Sequence, residues 1–464
     1  MAAGTDPDPA SPAAARRSRI MSSTGWTTLG HGAVQLIRLG SSLVLTRLLV
    51  PEVYGLMELV YVFLTALYLF SDVGLGTCIV QSPRGDDPNF LNTAWTIQAI
   101  RGVLLTLVSV PIGVGASLFY GQPMLAYLIP GIGLVALIDG FDATSLHTES
   151  RRIHLRGVIK LEVALQLGTV FAQVGAAMVW PSVWVLVLGS WVGALIRLVG
   201  SHRFLPSIPH RFLLEPEALR EIFTFGKWIF GSTALHFVSI QGDRLILARL
   251  LEGFADLGVY AIAGRLKMAV QVLQVRLVRA VVFPAFAERY RELASSPHER
   301  RRLLARSYDQ ARLRLDAVFV TAAGVLMVLG SSVIDLLYSA EYAQAGAILE
   351  IFSVEVAMSA ALTPAETLLF ALGMTKYTFF RSFGRAVWIV VAVPLGWHWG
   401  GFPGLVWAVA LSEVPTLVVV WFGLIRNGYF HPVRELRSVL FFGAGWGLGL
   451  GAEALLGTFR ALPS

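Results

Sequence analysis

Thirteen stretches of this chain are long and apolar enough to cross a bilayer as helices. A span needs about 20 mostly apolar residues. Candidates run over 25–48, 55–80, 91–119, 124–146, 158–180 and 182–201, then 225–247, 257–285, 313–338, 344–372, 377–397 and 404–425. A weaker, glycine-rich one lies at 436–456. In hydrocarbon every backbone N–H and C=O needs an internal partner, so spans of this length fold as helices. Composition agrees. Of the 464 residues 55% are hydrophobic and 14% charged, against about 25% charged in soluble domains. A soluble fold has no means of hiding that much apolar surface. The fold class predicted is all-α integral membrane.

The net charge of +7 invites a nucleic-acid reading, but the placement of the charge argues against it. Basic residues gather in alternate loops: Arg84; Arg151, Arg152, Arg156 and Lys160; Arg203, Arg211 and Arg220; Arg289 to Arg306; Lys376 and Arg381; Arg426, Arg434 and Arg437. The loops near 120–123, 180–182, 339–343 and 398–403 carry no Lys or Arg. Arg47 and Arg249, both at span ends, are the exceptions. This alternation is the orientation signal of membrane proteins. It predicts a cytoplasmic N-terminus and membrane lipids, not nucleic acid, as the surroundings. Residues 1–24, with Arg16, Arg17 and Arg19, are expected as a disordered cytoplasmic tail with no cleaved signal peptide; Met21 is an alternative start.

Leu45-Thr46-Arg47-Leu48-Leu49 is followed by Gly55, and Leu247-Ala248-Arg249-Leu250-Leu251 by Gly258. Each pentad closes one span and precedes another. Repeated halves are how many secondary transporters are built. With six spans before each copy's counterpart, both halves enter the membrane the same way up. The expected organisation is an N-terminal six-helix lobe over 25–201, a cytoplasmic linker with a short interfacial helix over 202–224, a C-terminal six-helix lobe over 225–426, and a thirteenth span with its tail over 427–464. Pro216, between Glu215 and Glu217, marks the start of the linker helix.

Charge inside a span is costly, about 2.5–3.5 kcal/mol per residue, and usually faces a cavity or a partner. His31, Gln35, Arg38 and Ser42 share one face of the first span. Glu58, Tyr61, Thr65, Tyr68 and Asp72 stripe the second. Arg101 stands with Gln98 in the third, and Asp139 and Asp142 lie low in the fourth, within reach of Arg151 or Arg152. Glu162, Gln166, Thr169 and Gln173 form a polar face in the fifth, and Asp243 and Arg244 adjoin in the seventh. In the eighth, Lys267, Gln271 and Gln274 share a face near Arg265, while Arg276 and Arg279 snorkel. In the tenth, Glu355, Ser359 and Glu366 accompany Pro364, which is expected to break the helix. A partly cationic central cavity is expected from these, with Gln35, Arg38, Arg101, Arg244, Arg265, Lys267 and Gln271 binding substrate. Such a lining suits an anionic or phosphate-bearing ligand. Glu58, Asp72, Asp243 and Glu366 are candidates for ion coupling, with ion pairing or capping the bland reading for each.

No Gly-x-x-x-x-Gly-Lys-[Ser/Thr] loop and no His-Glu-x-x-His occurs. The nine His lack ligand spacing. Cys78, the one cysteine, reads as a small buried residue. No cofactor, metal site or catalytic residue is expected.

The run Leu45 to Leu56, continuing through Phe70-Ser71-Asp72-Val73-Gly74-Leu75-Gly76 to Val80-Gln81, resembles the N-terminal signature of bacterial polysaccharide flippases. These Wzx-like transporters form a branch of the multidrug/oligosaccharidyl-lipid/polysaccharide exporter superfamily. The resemblance implies a two-lobed inner-membrane bundle that flips undecaprenyl-pyrophosphate-linked oligosaccharide by alternating access. A polysaccharide polymerase and a chain-length regulator are the implied partners. A cation-coupled drug exporter of the same superfamily is the alternative. A membrane polymerase or ligase is disfavoured, because no large outside loop is predicted.

Overall fold

The computed structural model of the chain describes residue 30 and residues 32–152, 154–292 and 297–460. The expected tail over 1–24 and His31 lie outside the described residues. The described chain is helical, in seventeen helices. They are α1 (Gly32–Leu45), α2 (Pro51–Ser71), α3 (Leu75–Gln81), α4 (Pro88–Tyr120), α5 (Leu125–Gly140), α6 (Ser145–Arg151), α7 (Leu155–Val179), α8 (Trp184–Arg203), α9 (Pro216–Leu250), α10 (Phe254–Leu277), α11 (Phe283–Glu292), α12 (Pro297–Leu315), α13 (Thr321–Leu337), α14 (Gln344–Ala371), α15 (Lys376–Ala410), α16 (Val414–Asn427) and α17 (Pro432–Arg460). Nine of the described helical stretches are long and apolar enough to cross a membrane, ten if α5 and α6, bent by 60°, make one span. The protein is a multi-pass membrane protein.

The chain divides into two compact units, Met1–Leu49 with Leu59–Thr233, and Val50–Glu58 with Ala234–Ser464. In the first unit α4 packs on α5, α5 on α8 and α7 on α8. Small residues set these crossings. A Cβ on Gly102 would stand 2.5 Å from the Ala136 carbonyl of α5, and one on Gly189 would stand 2.2 Å from Gln173. Without a hydrophobic force between helices in lipid, such close backbone approach is what holds them. In the second unit α13 packs on α14 and α17, and α10 on α14.

The repeated glycines meet within the second unit. A Cβ on Gly55 would lie 1.8 Å from the Phe254 carbonyl oxygen, and one on Gly258 would lie 1.9 Å from that of Pro51. Each copy of the repeat thus supplies the glycine that lets the other's helix start come close.

Several expected boundaries change. The second span is interrupted: α2 ends at Ser71, Gly74 takes a left-handed turn (φ 68°), and the short α3 follows. Pro216 begins α9 as one helix of 35 residues rather than a short interfacial helix, because no proline interrupts 217–250. The charged stretch 286–310, expected as a loop, is mostly helix in α11 and α12. Pro364 does not break α14, which runs unbroken from Gln344 to Ala371. The carbonyl that Pro364 leaves without an N–H is that of Ala360. The Gln274 amide from α10 donates to it at 3.2 Å. A neighbouring helix thus satisfies the freed group, as lipid requires. α15 does break, at Gly400 and Gly401, the latter with φ 57°, where the sequence places a loop.

Candidate functional site

In the first unit the polar stripes turn toward one another. The Arg38 Nε donates to Gln166 Oε1 at 3.1 Å, and no carboxylate lies within ion-pair reach of Arg38 among the described residues. Gln35, one turn earlier, is half-buried, whereas Arg38 is exposed. Arg101 donates from Nε to the Ser71 hydroxyl at 2.8 Å and from a terminal nitrogen to the Tyr68 carbonyl at 2.9 Å. It too has no carboxylate in ion-pair reach among the described residues. The Tyr68 hydroxyl donates to Asp139 at 2.7 Å. Asp139 and Asp142 share Arg197 of α8, not Arg151 or Arg152 as expected. Those two arginines are engaged elsewhere. Arg151 donates to the carbonyls of Ile79 and Val80 at the end of α3, where a cation suits the helix dipole, and both pair with Asp86. Gln98 caps α5 by donating to the carbonyls of Asp139 at 2.9 Å and Asp142 at 3.2 Å. Asp72 accepts from the Gly74 N–H at 2.8 Å and so shapes the turn after α2.

The second unit carries two chains of buried charge. Arg244 reaches Glu58 at 2.5 Å. Asp243, beside it, accepts from the Tyr260 hydroxyl. Adjacent residues point about 100° apart on a helix; each has a partner on another helix, and the two also meet each other at 3.5 Å. Arg265 stands 3.9 Å from Glu58 and over the Tyr54 ring at 5.1 Å. In the second chain Lys267 pairs with Glu355 at 2.7 Å, Glu355 also takes Arg385 at 2.9 Å, and Arg385 bridges on to Glu413. Glu355 is 1% exposed, so each oxygen needs the cation it has. Glu366 pairs with Arg381 at 2.9 Å. Gln271 is half-buried on α10.

A model of the family described as polysaccharide biosynthesis protein matches residues 44–342, well over half of the chain and both copies of the repeat. The chain belongs to this family. Two curated relatives align with this polysaccharide biosynthesis protein over most of its length. The succinoglycan biosynthesis transport protein ExoT of Rhizobium meliloti (strain 1021) is 22% identical over 87% of this chain and 79% of its own. The lipopolysaccharide biosynthesis protein WzxC of Escherichia coli (strain K12) is 19% identical over 88% and 82%. Among solved structures, the lipid II flippase MurJ in an inward closed conformation superposes with a TM-score of 0.66, at 9% identity, over 92% of this chain and all of that one. An inward-facing multidrug resistance MATE family transporter of the MOP superfamily gives 0.62, at 14% identity, over 85% and 94%. At these identities the likeness is one of fold.

Within this polysaccharide biosynthesis protein, the cations expected in a cavity fall into two groups. Arg244 and Lys267 are held by carboxylates, and Arg265 lies at the edge of the same cluster. Arg38 and Arg101 hydrogen-bond only to neutral groups among the described residues. Sequence reasoning missed Arg197, Arg385 and Glu413. The signal was available, since Arg385 and Glu413 are charges mid-way through the expected spans 377–397 and 404–425, whereas Arg197 sits near the end of 182–201, where snorkelling is the default reading. It also missed a cluster between α12 and α17. There Arg312 reaches Glu435, Tyr308 donates to Glu435 at 2.9 Å, and Ser438 donates to Asp316 at 2.8 Å. Cys78 is buried with Leu75, Ile79 and Phe90, as a small apolar residue would be. The described residues hold no group of three or more His, Cys, Asp or Glu able to bind a metal.

Outside the spans, Arg84 joins Asp87 at 2.6 Å and Glu215 at 2.8 Å. Hydrogen bonding from Arg84 holds the Asp87 carboxyl below its usual range, and Arg152 does the same for Asp86. Residues 205–215 form an extended strap on α4. The N–H groups of Arg211, Leu213 and Glu215 donate to Asn92, Thr96 and Thr93. Alternate donors of an extended chain thus meet neighbouring polar side chains on α4.

Proposed function

We propose that this protein flips undecaprenyl-pyrophosphate-linked oligosaccharide repeat units across the bacterial inner membrane, for lipopolysaccharide or exopolysaccharide synthesis, by alternating access. The observation that carries the reading is membership of the polysaccharide biosynthesis family over 44–342, where the relatives' names speak of succinoglycan transport and lipopolysaccharide synthesis. The fold shared with a lipid II flippase supports a lipid-linked cargo. In this reading α1 to α16 supply twelve core spans in two lobes of six, both the same way up, with the N-terminus cytoplasmic. The lobes are 25–201 and 225–426, joined by 202–224, and α17 within 427–464 is a thirteenth span. A helix overlies each of the thirteen apolar segments, which supports that count. A polymerase and a chain-length regulator are the partners that would take up the product.

Arg38 is the residue we assign first to the pyrophosphate. Its Nε is engaged by neutral Gln166, and its terminal nitrogens are left for a bidentate bond to phosphate. Arg101, Gln35, Gln271 and Arg265 are further contacts in this assignment. Arg244 and Lys267 would contribute only if their carboxylates release them. Glu58, Asp72, Asp243 and Glu366 remain the candidates for coupling to an ion.

The deciding experiment removes the gene and extracts lipid-linked oligosaccharides. Loss of surface polymer with repeat units building up on the cytosolic face is the expected result. Normal polymer with no intermediate, and no second flippase present, would sink the reading. Arg38→Ala, inserted at normal level, is expected to abolish export in the same assay, and full export would reduce Arg38 to a structural role. Glu366→Gln is expected to change the dependence of transport on pH or sodium; an unchanged dependence removes it from coupling.

A further inference from the structure

The end of α8 and the strap after it carry a surface outside the residues assigned above to the transported substrate. A hollow of about 390 Å³ opens there, lined by Trp95, Phe141, Leu198, Val199, His202 and Arg203. That volume suits a small ligand or the head of a larger one. Its floor is aromatic and held in place. The Trp95 indole donates to the Phe141 carbonyl at 3.4 Å, stacks on His210 with centroids 5.2 Å apart, and meets Phe212 at 5.0 Å. Its rim is cationic. His202 and Arg203 are exposed, and no lining residue is acidic. Neither Arg203 nor Arg211, which adjoins Phe212, has a carboxylate within ion-pair reach among the described residues. Apolar side chains are exposed beside these cations: Phe204 at the end of α8 at 79%, and Phe212 and Leu214 of the strap at 68% and 50%.

Two features of this surface need one explanation. α8 is apolar and long enough to cross a membrane, and the hollow lies at its last turn, where hydrocarbon gives way to headgroups. Large apolar groups at that depth belong against acyl chains, while unpaired Arg at that depth belongs against phosphate. A free inorganic anion would match the rim and leave the aromatic floor without a partner. A zwitterionic lipid would match the floor and offset the rim with its own ammonium.

We propose that this hollow binds an anionic phospholipid, its phosphate at Arg203 and its glycerol and first methylenes against Trp95, Phe141 and Val199. The site is separate from the residues assigned to the transported substrate, and the inference needs only that α8 spans the membrane.

The test uses the full chain purified in detergent and titrated with phosphatidylglycerol or phosphatidylethanolamine of the same acyl chains, with bound lipid counted by native mass spectrometry. Phosphatidylglycerol should bind several-fold more tightly. Arg203→Gln should weaken it roughly five-fold, the effect of one interfacial charge. Val199→Asn, at an exposed position, should weaken both lipids. Arg152→Gln, whose side chain is occupied by Asp86, should leave binding unchanged. Equal affinity for the two lipids, or an unaltered Arg203→Gln, would overturn the proposal. Displacement of the lipid by millimolar inorganic phosphate would make this a free-anion site and overturn it as well.

Discussion

At the scale of single residues, most of the intramembrane charge is neutralised within its own unit. Glu355 shows how tightly. It lies between Lys267 and Arg385, with one oxygen on each. Replacing it with Leu would strand Lys267 in a buried place and leave Arg385 with Glu413 alone, and breaking a buried pair costs about 3–5 kcal/mol. We therefore expect Glu355→Leu to melt well below wild type in detergent, or to fail to accumulate in membranes. A wild-type melting curve would mean that water reaches the pair. Arg38 contrasts with this cluster. It is exposed and, among the described residues, its side chain is bonded only to an amide, so Arg38→Ala should leave the melting temperature within the small range of surface changes, about 0.5 kcal/mol, while abolishing export. His210 offers a pH test. Its Nε2 accepts from the Thr144 N–H at 3.3 Å. Burial and then the neighbouring His202 push its pKa down to about 4, with Arg203 and Arg211 adding positive charge nearby in the chain. A base with a lowered folded pKa binds fewer protons folded than unfolded, so its contribution falls as pH drops from about 6.5 toward 4. Amide-exchange protection of residues 205–215 should decline over that window. His210→Gln, which keeps an acceptor without a titrating charge, should flatten the decline.

At the scale of elements, the structure explains how prolines and glycines persist inside helices. α14 survives Pro364 because Gln274 serves the Ala360 carbonyl. Gln274→Leu would leave that carbonyl unpaired and should cost about 1–3 kcal/mol, read as a lowered melting temperature. Gln274→Glu, which keeps an acceptor but loses the donor, should cost at least as much. The crossing of α2 and α10 works by the opposite device, the absence of a side chain. Gly55→Ala or Gly258→Ala would place a methyl group under 2 Å from a backbone oxygen. The helices would have to part, at a cost of about 1–3 kcal/mol as in other overpacked contacts. Similar losses from the two substitutions would mark the contact as reciprocal.

At the scale of the molecule, α17 is tied to the second unit at its first turns and at its middle. Glu435 and Ser438 enter the Arg312, Tyr308 and Asp316 cluster, and Gly445 lies against Thr321 of α13, where a Cβ would come within 2.1 Å of its carbonyl oxygen. A chain stopped after Asn427 would leave Arg312 and Asp316 facing an open groove. We expect it to be recovered from membranes at a small fraction of the wild-type level. Normal recovery would show that the preceding helices stand without it.

Much of this was legible from the residues alone. Apolar length and alternating loop charge act locally through the bilayer, so they announce a multi-pass helical protein without any knowledge of packing. The pentads before Gly55 and Gly258 announced a repeat, and the structure brings those two glycines into close packing. Partner choice was not legible. Whether Arg244 faces a ligand or Glu58, whether Asp139 turns to Arg151 or Arg197, and whether Pro364 breaks its helix all depend on a group from a distant part of the chain. Sequence spacing places a residue on a face of its own helix. Only the packed structure decides what stands opposite that face, because a buried charge or a freed carbonyl in lipid must take whichever partner the neighbouring helix brings within hydrogen-bond reach.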